Sequence, residues 1–411
     1  MPFEALIVFI LSLTASGKSS GVDTKSYNFF KNARRSGLWA DADTVGRSAI
    51  SKARKKVPWQ IFENLAYDAT ELAYELFPQN SQYLWHGMSV FAFDGSKYDL
   101  PATEEIRKEF DPNGGLGTNG KGHYPQCLVS TAYDVFRRLP VARSVESIEG
   151  ANEREEAKKL VPHIPAGNLL CFDRGYPGYE FITWLNENYN GYYLFRCSAS
   201  NTFPAVEQFI ESGKNEDIIW LNPTNSYRRQ VPAADRKHLL PTKIRAIRLV
   251  NPDGVISVLL TNLFDMTEFI CDELIDLYFR RWEVENYYRD EKTYLEIEKF
   301  HSKSPNGIRQ ELFSILAMSV IARILMVISM VSNETPTQAA PQFKNSIMAL
   351  ASDVVAFVSR DPVKSIEILQ ELLSEIRRVK YYRSKKPRPS QPRVSRRSVN
   401  KWVKGKMQKL A

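Results

Sequence analysis

The chain has 411 residues, more than one hydrophobic core usually holds, so two or three domains able to fold without staples are expected. Four cysteines, Cys127, Cys171, Cys197 and Cys271, form no Cys-x-x-Cys pair, which argues against a zinc module or disulfide scaffold and for reduced cytoplasmic thiols. The net charge of +8 is unevenly spread: residues 1–62 hold 10 Lys and Arg against 4 Asp and Glu, residues 377–411 hold 14 against none, and the remainder holds 31 against 43. An acidic body with basic ends suits a carboxylate enzyme whose flanks touch nucleic acid, although a solvated tail accounts equally well for any single basic segment.

Met1 to Thr14 is apolar but carries Glu4 and lacks a basic start, so it reads as a core helix rather than a signal peptide. Arg323 interrupts the apolar run Leu312 to Met330, and no membrane association is expected. Asp23 is placed to cap a helix holding Phe29 and Phe30, and Thr44 to cap one running to Val57 that presents Arg47, Arg54 and Lys55. The pair reads either as a helix-turn-helix with DNA contacts at Arg47, Arg54 and Lys55 or as an ordinary helical subdomain.

From Met88 the pattern turns to strands. "MSVFAFD" ends at Asp94; "QCLVSTAYD" and "RRLPVARSV" follow as a meander; then come a charged helix "EREEAKKLV", a short strand "NLLCFD" ending at Asp173, a helix "YEFITWLNEN" and a strand "YYLFRC". This is the order of a ribonuclease-H-like sheet. "DIIWL", "KIRAIRLV" and "ISVLLTNL" read as a β-rich insertion, and helical signal resumes near Met266. The expected fold class is α/β, a ribonuclease-H-like catalytic core with a β-rich insertion and helical flanks. Its parts are 1–85 (helical, DNA-binding), 86–200 with 265–300 (core), 201–264 (insertion), 301–379 (helical) and 380–411 (basic tail).

Asp94 and Asp173 fall at the carboxyl ends of predicted strands, where open α/β sheets gather ligands, and a nearby glycine relieves each turn. If the strands are parallel neighbours, the carboxylates converge. In "YFRRWEVENYYRDEKTYLEIEK" a helical period puts Tyr278, Arg281, Glu285 and Lys292 on one stripe about 60° wide. Leu277, Val284, Tyr288 and Leu295 form the adjacent apolar ridge, so phase selects Glu285 over Glu283 and Glu291. A salt-bridged amphipathic helix remains the alternative on pattern alone.

The order Tyr278, Arg281, Glu285, Lys292, at these spacings, resembles the Tyr-Arg-Glu-Lys signature of bacterial insertion-sequence transposases, insertion sequence family four. With "DGS" at Asp94, "DRGY" at Asp173 and "LLTNLFD" before the signature, the resemblance spans roughly residues 85 to 300. It implies a DDE transposase that cuts at transposon ends and joins them to target DNA, with Asp94, Asp173 and Glu285 as catalytic metal ligands and Tyr278, Arg281 and Lys292 as DNA contacts. In-line phosphoryl displacement suits two Mg²⁺ ions, with Mn²⁺ as substitute, about 3.5–4 Å apart. Asp94 is assigned as the bridging ligand, with Asp173 and Glu285 each completing one ion. The expected partners are double-stranded DNA, as terminal inverted repeats and target, and a second copy of the chain in a synaptic homodimer; the expected location is the cytoplasm, at the nucleoid. Ser257 stands where hairpin-forming members carry a tryptophan, so cleavage and joining are supported and a hairpin route is not. Trp220 and Trp282 are expected to pack in the core. The alternatives are a ribonuclease-H-like nuclease or resolvase without strand transfer, and a domesticated DNA-binding protein.

Overall fold

The computed structural model describes residues 1–381 apart from 16–20, 36–38, 79, 114–123, 201–202, 235, 237–238, 251–253, 332–339, 356–360 and 379. Residues 114–123, a glycine-rich stretch that includes Lys121 and His123, and nearly all of the basic tail therefore lie outside the described residues.

Eight strands form one sheet: β1 (Val90–Asp99), β2 (Gln126–Asp134), β3 (Leu139–Ser147), β4 (Leu169–Phe172), β5 (Tyr192–Ser198), β6 (Glu216–Leu221), β7 (Thr242–Val250) and β8 (Ile256–Thr261). Their order is β3-β2-β1-β4-β5-β8-β7-β6. The antiparallel meander β1-β2-β3 followed by parallel β4 and β5 is the ribonuclease-H-like core. The β-rich segment does not stand apart from it: β8 pairs antiparallel with β5, and β7 and β6 continue the same sheet outward.

Side chains alternate between the faces with the strand period of two. Val90 and Ala92 of β1, Leu169 and Cys171 of β4 and Leu194 of β5 join one core, while Phe91, Phe93, Leu170, Phe172, Tyr193 and Phe195 join the other. The same parity sends Asp94 and Asp173 to the first face and Gly95 to the second.

The helices are α1 (Phe3–Ala15), α2 (Val22–Arg35), α3 (Arg47–Lys55), α4 (Gln60–Leu76), α5 (Glu104–Phe110), α6 (Glu153–Leu160) and α7 (Tyr179–Asn188). They continue as α8 (Pro204–Glu211), α9 (Asn225–Gln230), α10 (Cys271–Phe279), α11 (Trp282–Thr293), α12 (Pro305–Val331), α13 (Phe343–Asp353) and α14 (Pro362–Arg378). α12 is long and apolar enough to cross a bilayer, yet most of it is buried inside the protein, where it packs on α1, α4, α13, α14 and β3. α1 is buried along most of its length, as its mostly apolar sequence after Glu4 requires.

Three local expectations are corrected. Asp23 lies inside the first turn of α2, and its carboxylate accepts from the backbone N–H of Arg47 at 2.8 Å, so it serves the start of α3 in place of Thr44. Trp220 and Trp282 are 55% and 41% exposed: the first lies on the edge strand β6, and the second opens α11 just past a break in the helix. That break divides the single helix expected around the signature. Arg280, Arg281, Glu283 and Val284 all donate to the carbonyl three residues earlier, so the chain tightens between α10 and α11.

Candidate active site

The parallel register Val90 to Leu169, Phe91 to Leu170 and Ala92 to Cys171, extended by two residues, sets Asp94 level with Asp173 on adjacent strands. Asp173 follows the last residue of β4, as expected of a strand-end acid. Asp94 does not end its strand. β1 runs on to Asp99 because β2 continues to pair with it after β4 has stopped, with Gly95 opposite Ser130.

Gly95 therefore has a role other than turning the chain. A Cβ there would lie 2.9 Å from Oε1 of Glu153, so the missing side chain admits that carboxylate against the strand. Gly175 is similar: its N–H donates to Asp173 Oδ1 at 2.7 Å, and a Cβ would stand 3.2 Å from that oxygen and 3.7 Å from Glu153 Oε2. Glu153, the first residue of α6, thus reaches the two aspartate-bearing segments from the opposite face. Nothing in the sequence marks this residue beyond its place among the acids that commonly open helices.

α11 covers the aspartates from the first face. Val284 and Tyr288 are buried, as the phase argument requires, and Glu285 is half-buried beside them. Arg281 Nη2 donates to Glu285 Oε1 at 2.6 Å, and its Nη1 stands 4.0 Å from Asp94 Oδ1. Its Nε and Nη1 are buried with no hydrogen-bond partner. The Tyr278 ring lies under the guanidinium at 5.8 Å, and burial pushes its hydroxyl up to about 12. The site thus brings together Asp94, Asp173, Glu285, Arg281 and Tyr278.

Lys292 is held away from the acids. Its Nζ donates to the carbonyl of Lys97 at 2.5 Å and lies 4.4 Å above the Tyr98 ring. Of the three α3 residues expected to touch DNA, Arg47 and Lys55 are exposed and border a cleft of about 470 Å³ with His301 to Gly307. Arg54 lines the inner wall of the same cleft and is buried. Ile50, Arg54 and Val57 follow the spacing of a buried stripe, and Arg54 is turned inward, donating to Gln310 at 3.0 Å, Glu311 at 3.2 Å and the carbonyl of Gly307 at 3.1 Å.

Burial, and then the negative charges of Glu285, Asp173 and Glu153, push the Asp94 carboxyl up to about 7 against the lowering pull of Arg281. Burial and the facing Asp173 likewise raise Glu153. Among the described residues, no three His, Cys, Asp or Glu side chains stand close enough together to hold one ion; the positive charge between Asp94 and Glu285 is that of Arg281. The donor set is nonetheless all carboxylate oxygen, which suits a hard cation such as Mg²⁺ or Mn²⁺, and the clearance over Gly95 and Gly175 leaves the carboxylates uncrowded by side-chain carbon.

A second buried acid supports the site from below. Glu291 accepts from Arg143 at 2.8 Å, from Tyr287 at 2.6 Å and from Tyr98 at 2.5 Å, joining α11 to β1 and β3, while Arg143 also donates to the carbonyl of Leu312.

Residues 85–321 match the family model described as the transposase DDE domain. The transposase InsG for insertion sequence element IS4 of Escherichia coli K12 is 23% identical over 287 residues, 69% of this chain and 62% of that protein. A putative transposase, InsZ, from the same organism is 24% identical over 166 residues, 38% of this chain and 52% of that protein. The chain thus spans less than two thirds of either relative's length. A piggyBac transposase solved as a synaptic complex with hairpin DNA gives a TM-score of 0.46 at 10% identity, covering 95% of this chain and 78% of that one, too loose a likeness to carry an argument.

Proposed function

The chain belongs to the DDE transposase family, and from that premise we propose that it is a DNA transposase, cutting at the ends of an insertion element and joining them to target DNA with Asp94, Asp173 and Glu285 as its metal-binding acids. The observation that carries this reading is the meeting of three chain-distant groups on one face of the sheet. Asp94 and Asp173 stand level on parallel neighbours, and Glu285 is linked to Asp94 through Arg281.

Divalent cations, when bound, supply neutralisation of the scissile phosphate and activation of the attacking hydroxyl. The chain's residues do the rest. Asp94, Asp173 and Glu285 are the residues that would hold the cations, Asp94 being the one on which the charges of both others act. Arg281, buried between Glu285 and Asp94, is arranged to receive phosphate oxygens in the planar geometry a guanidinium favours. Tyr278 stays protonated near neutral pH and so can only donate its proton to a nearby oxygen or accept from Arg281. Lys292 adds a point charge further along α11, about 10 Å from Glu285 by helical rise. Arg47 and Lys55 contact the DNA backbone outside the cleavage point. Two element ends must be held together for joining, so the working form is a homodimer.

The test is incubation with matched element-end DNA and Mg²⁺ or Mn²⁺, comparing wild type with Asp94→Ala and Glu285→Gln. Cleavage and strand transfer by wild type and loss in both variants is expected; equal cleavage by all three refutes the assignment.

A further inference from the structure

We propose that Arg154 is a positioning residue for Asp173, holding the turn whose amide fixes the rotation of that carboxylate; the inference rests on the transposase reading above. Lys158 and Lys159, further along α6, pair with carboxylates of their own helix, Glu155 at 2.7 Å and Glu156 at 2.9 Å. The guanidinium of Arg154 is directed at main chain instead. Its Nη2 donates to the carbonyls of Gly175 at 3.1 Å and Pro177 at 3.0 Å, both in the segment that joins Asp173 to α7.

That segment is a turn built on Asp173 itself. Its Oδ1 accepts from the Gly175 N–H at 2.7 Å, and its carbonyl accepts from the Tyr176 N–H at 3.2 Å. An aspartate that accepts from the amide two residues on is a common turn arrangement, and alone it says nothing of function. Here the same glycine is held from its other end: its N–H orients the acid while its carbonyl accepts from Arg154. The Tyr176 ring, 1% exposed and packed on Phe172, anchors the turn in the core. Arg174 and Gly175 are exposed, so Arg154 restrains the side that the core does not reach.

Gly178 supplies a second, separate sign of this fit. Its backbone is extended, at φ −164°, which any residue adopts, and at the N-cap of α7 a serine, threonine, asparagine or aspartate would serve the helix at least as well. A Cβ there would stand 2.9 Å from Nη1 of Arg154 and 3.1 Å from its Cζ, so a side chain at this position would displace the guanidinium. The turn thus closes around Arg154, with carbonyls on Nη2 and a glycine against Nη1. Groups that orient a metal-binding acid without touching the metal typically change affinity or activity by about 10- to 100-fold when removed.

The experiment compares the full-length wild type with Arg154→Gln, Arg154→Lys, Gly178→Ala and Asp173→Asn. Hydrogen exchange of residues 173–178 is measured without DNA or metal, cleavage of matched element-end DNA at saturating DNA over a Mn²⁺ series, and DNA affinity over a salt series. Arg154→Gln should quicken exchange of the Gly175 amide and raise the Mn²⁺ concentration for half-maximal cleavage by about tenfold, with DNA affinity and its salt slope unchanged. Gly178→Ala, which displaces the guanidinium without removing it, should shift both readouts the same way, and Arg154→Lys should recover part of both. A wild-type Mn²⁺ requirement in Arg154→Gln overturns the proposal whether or not exchange quickens, since a bond that only ties α6 to the turn would leave it there. A salt slope reduced by about one, with cleavage at saturating DNA unchanged, makes Arg154 a phosphate contact and overturns it too. If Asp173→Asn cleaves like wild type, the active-site reading itself fails and the proposal with it. Should Arg154→Gln not fold, Gly178→Ala decides: unchanged exchange and an unchanged Mn²⁺ requirement overturn the coupling.

Discussion

The hydroxyl of Tyr288 donates to the backbone carbonyl of Asp94 at 2.7 Å and shares its proton with the carbonyl of Val129 at 3.1 Å. The helix that carries Glu285 is therefore bonded to the strand residue that carries the first aspartate, one helical turn from the glutamate itself. A positional error in α11 is transmitted directly into the separation of the acids, and phosphoryl transfer depends on that separation.

Tyr288→Phe keeps the ring packing and removes the hydroxyl with its contacts to the Asp94 and Val129 carbonyls. The expected stability loss is about 1 kcal/mol, while cleavage should fall by more than tenfold with DNA affinity unchanged. Thermal melts, binding titrations and single-turnover cleavage measure the three quantities. Cleavage at the wild-type rate would show that the bond is ordinary core satisfaction.

The buried Arg143–Glu291 pair makes a second prediction. Both side chains are fully buried, and Tyr98 and Tyr287 also donate to Glu291. Removing one partner strands a charge, so Glu291→Ala should destabilise by about 3–5 kcal/mol. Replacing both, as Arg143→Met with Glu291→Leu, should recover most of that loss. A double variant as unstable as the sum of the single ones refutes the coupling; denaturant melts supply the numbers.

Much of this site was legible in the sequence because it depends on short-range periodicity. Alternation identified the strands, and helical phase separated Glu285 from Glu283. Phase also set Glu291 aside, and it lies on a different side of the helix from Glu285, but the sequence could not show that Arg143, nearly 150 residues earlier, waits there to pair with it. Glu153 was hidden for a related reason: its partners are glycines, and an absent Cβ leaves no pattern to read. Gly95 looks like a turn in the sequence because the apolar run "MSVFAFD" stops at Asp94 and a glycine follows, although β1 continues to Asp99. Arg54 was misplaced because charge was weighed before spacing, although Ile50 and Val57 mark its face as buried.

That correction yields a third prediction, which separates structural from DNA-contacting basic residues on one short helix. Arg54→Ala removes the arginine partner of buried Glu311, leaving it to His301 and backbone N–H donors, and should lower stability by about 3 kcal/mol, with little change in the salt dependence of DNA binding. Arg47→Ala and Lys55→Ala should leave the melting curve nearly unchanged and each reduce the slope of log affinity against log salt by about one. An undiminished slope in the Arg47→Ala and Lys55→Ala double variant removes α3 from the DNA interface.

The raised Asp94 carboxyl gives a pH dependence of defined sign. In the unfolded chain this group titrates near 3.8, whereas in the folded chain it titrates at about 7. Between those values the native state holds a proton that the unfolded state has released, so stability is greatest at the acid end of the window and falls as pH rises through about 7. Asp94→Asn removes the titrating group and should flatten that part of the curve, leaving the metal-free variant more stable than wild type at pH 8. Mg²⁺ or Mn²⁺ competes with the same proton, so the cation-induced rise in Tm should grow between pH 6 and 8 in wild type and vanish in Asp94→Asn. Differential scanning fluorimetry across pH, with and without the cation, measures both effects. Parallel curves for the two proteins would show that Asp94 is charged throughout and that burial and the neighbouring acids do not hold its proton.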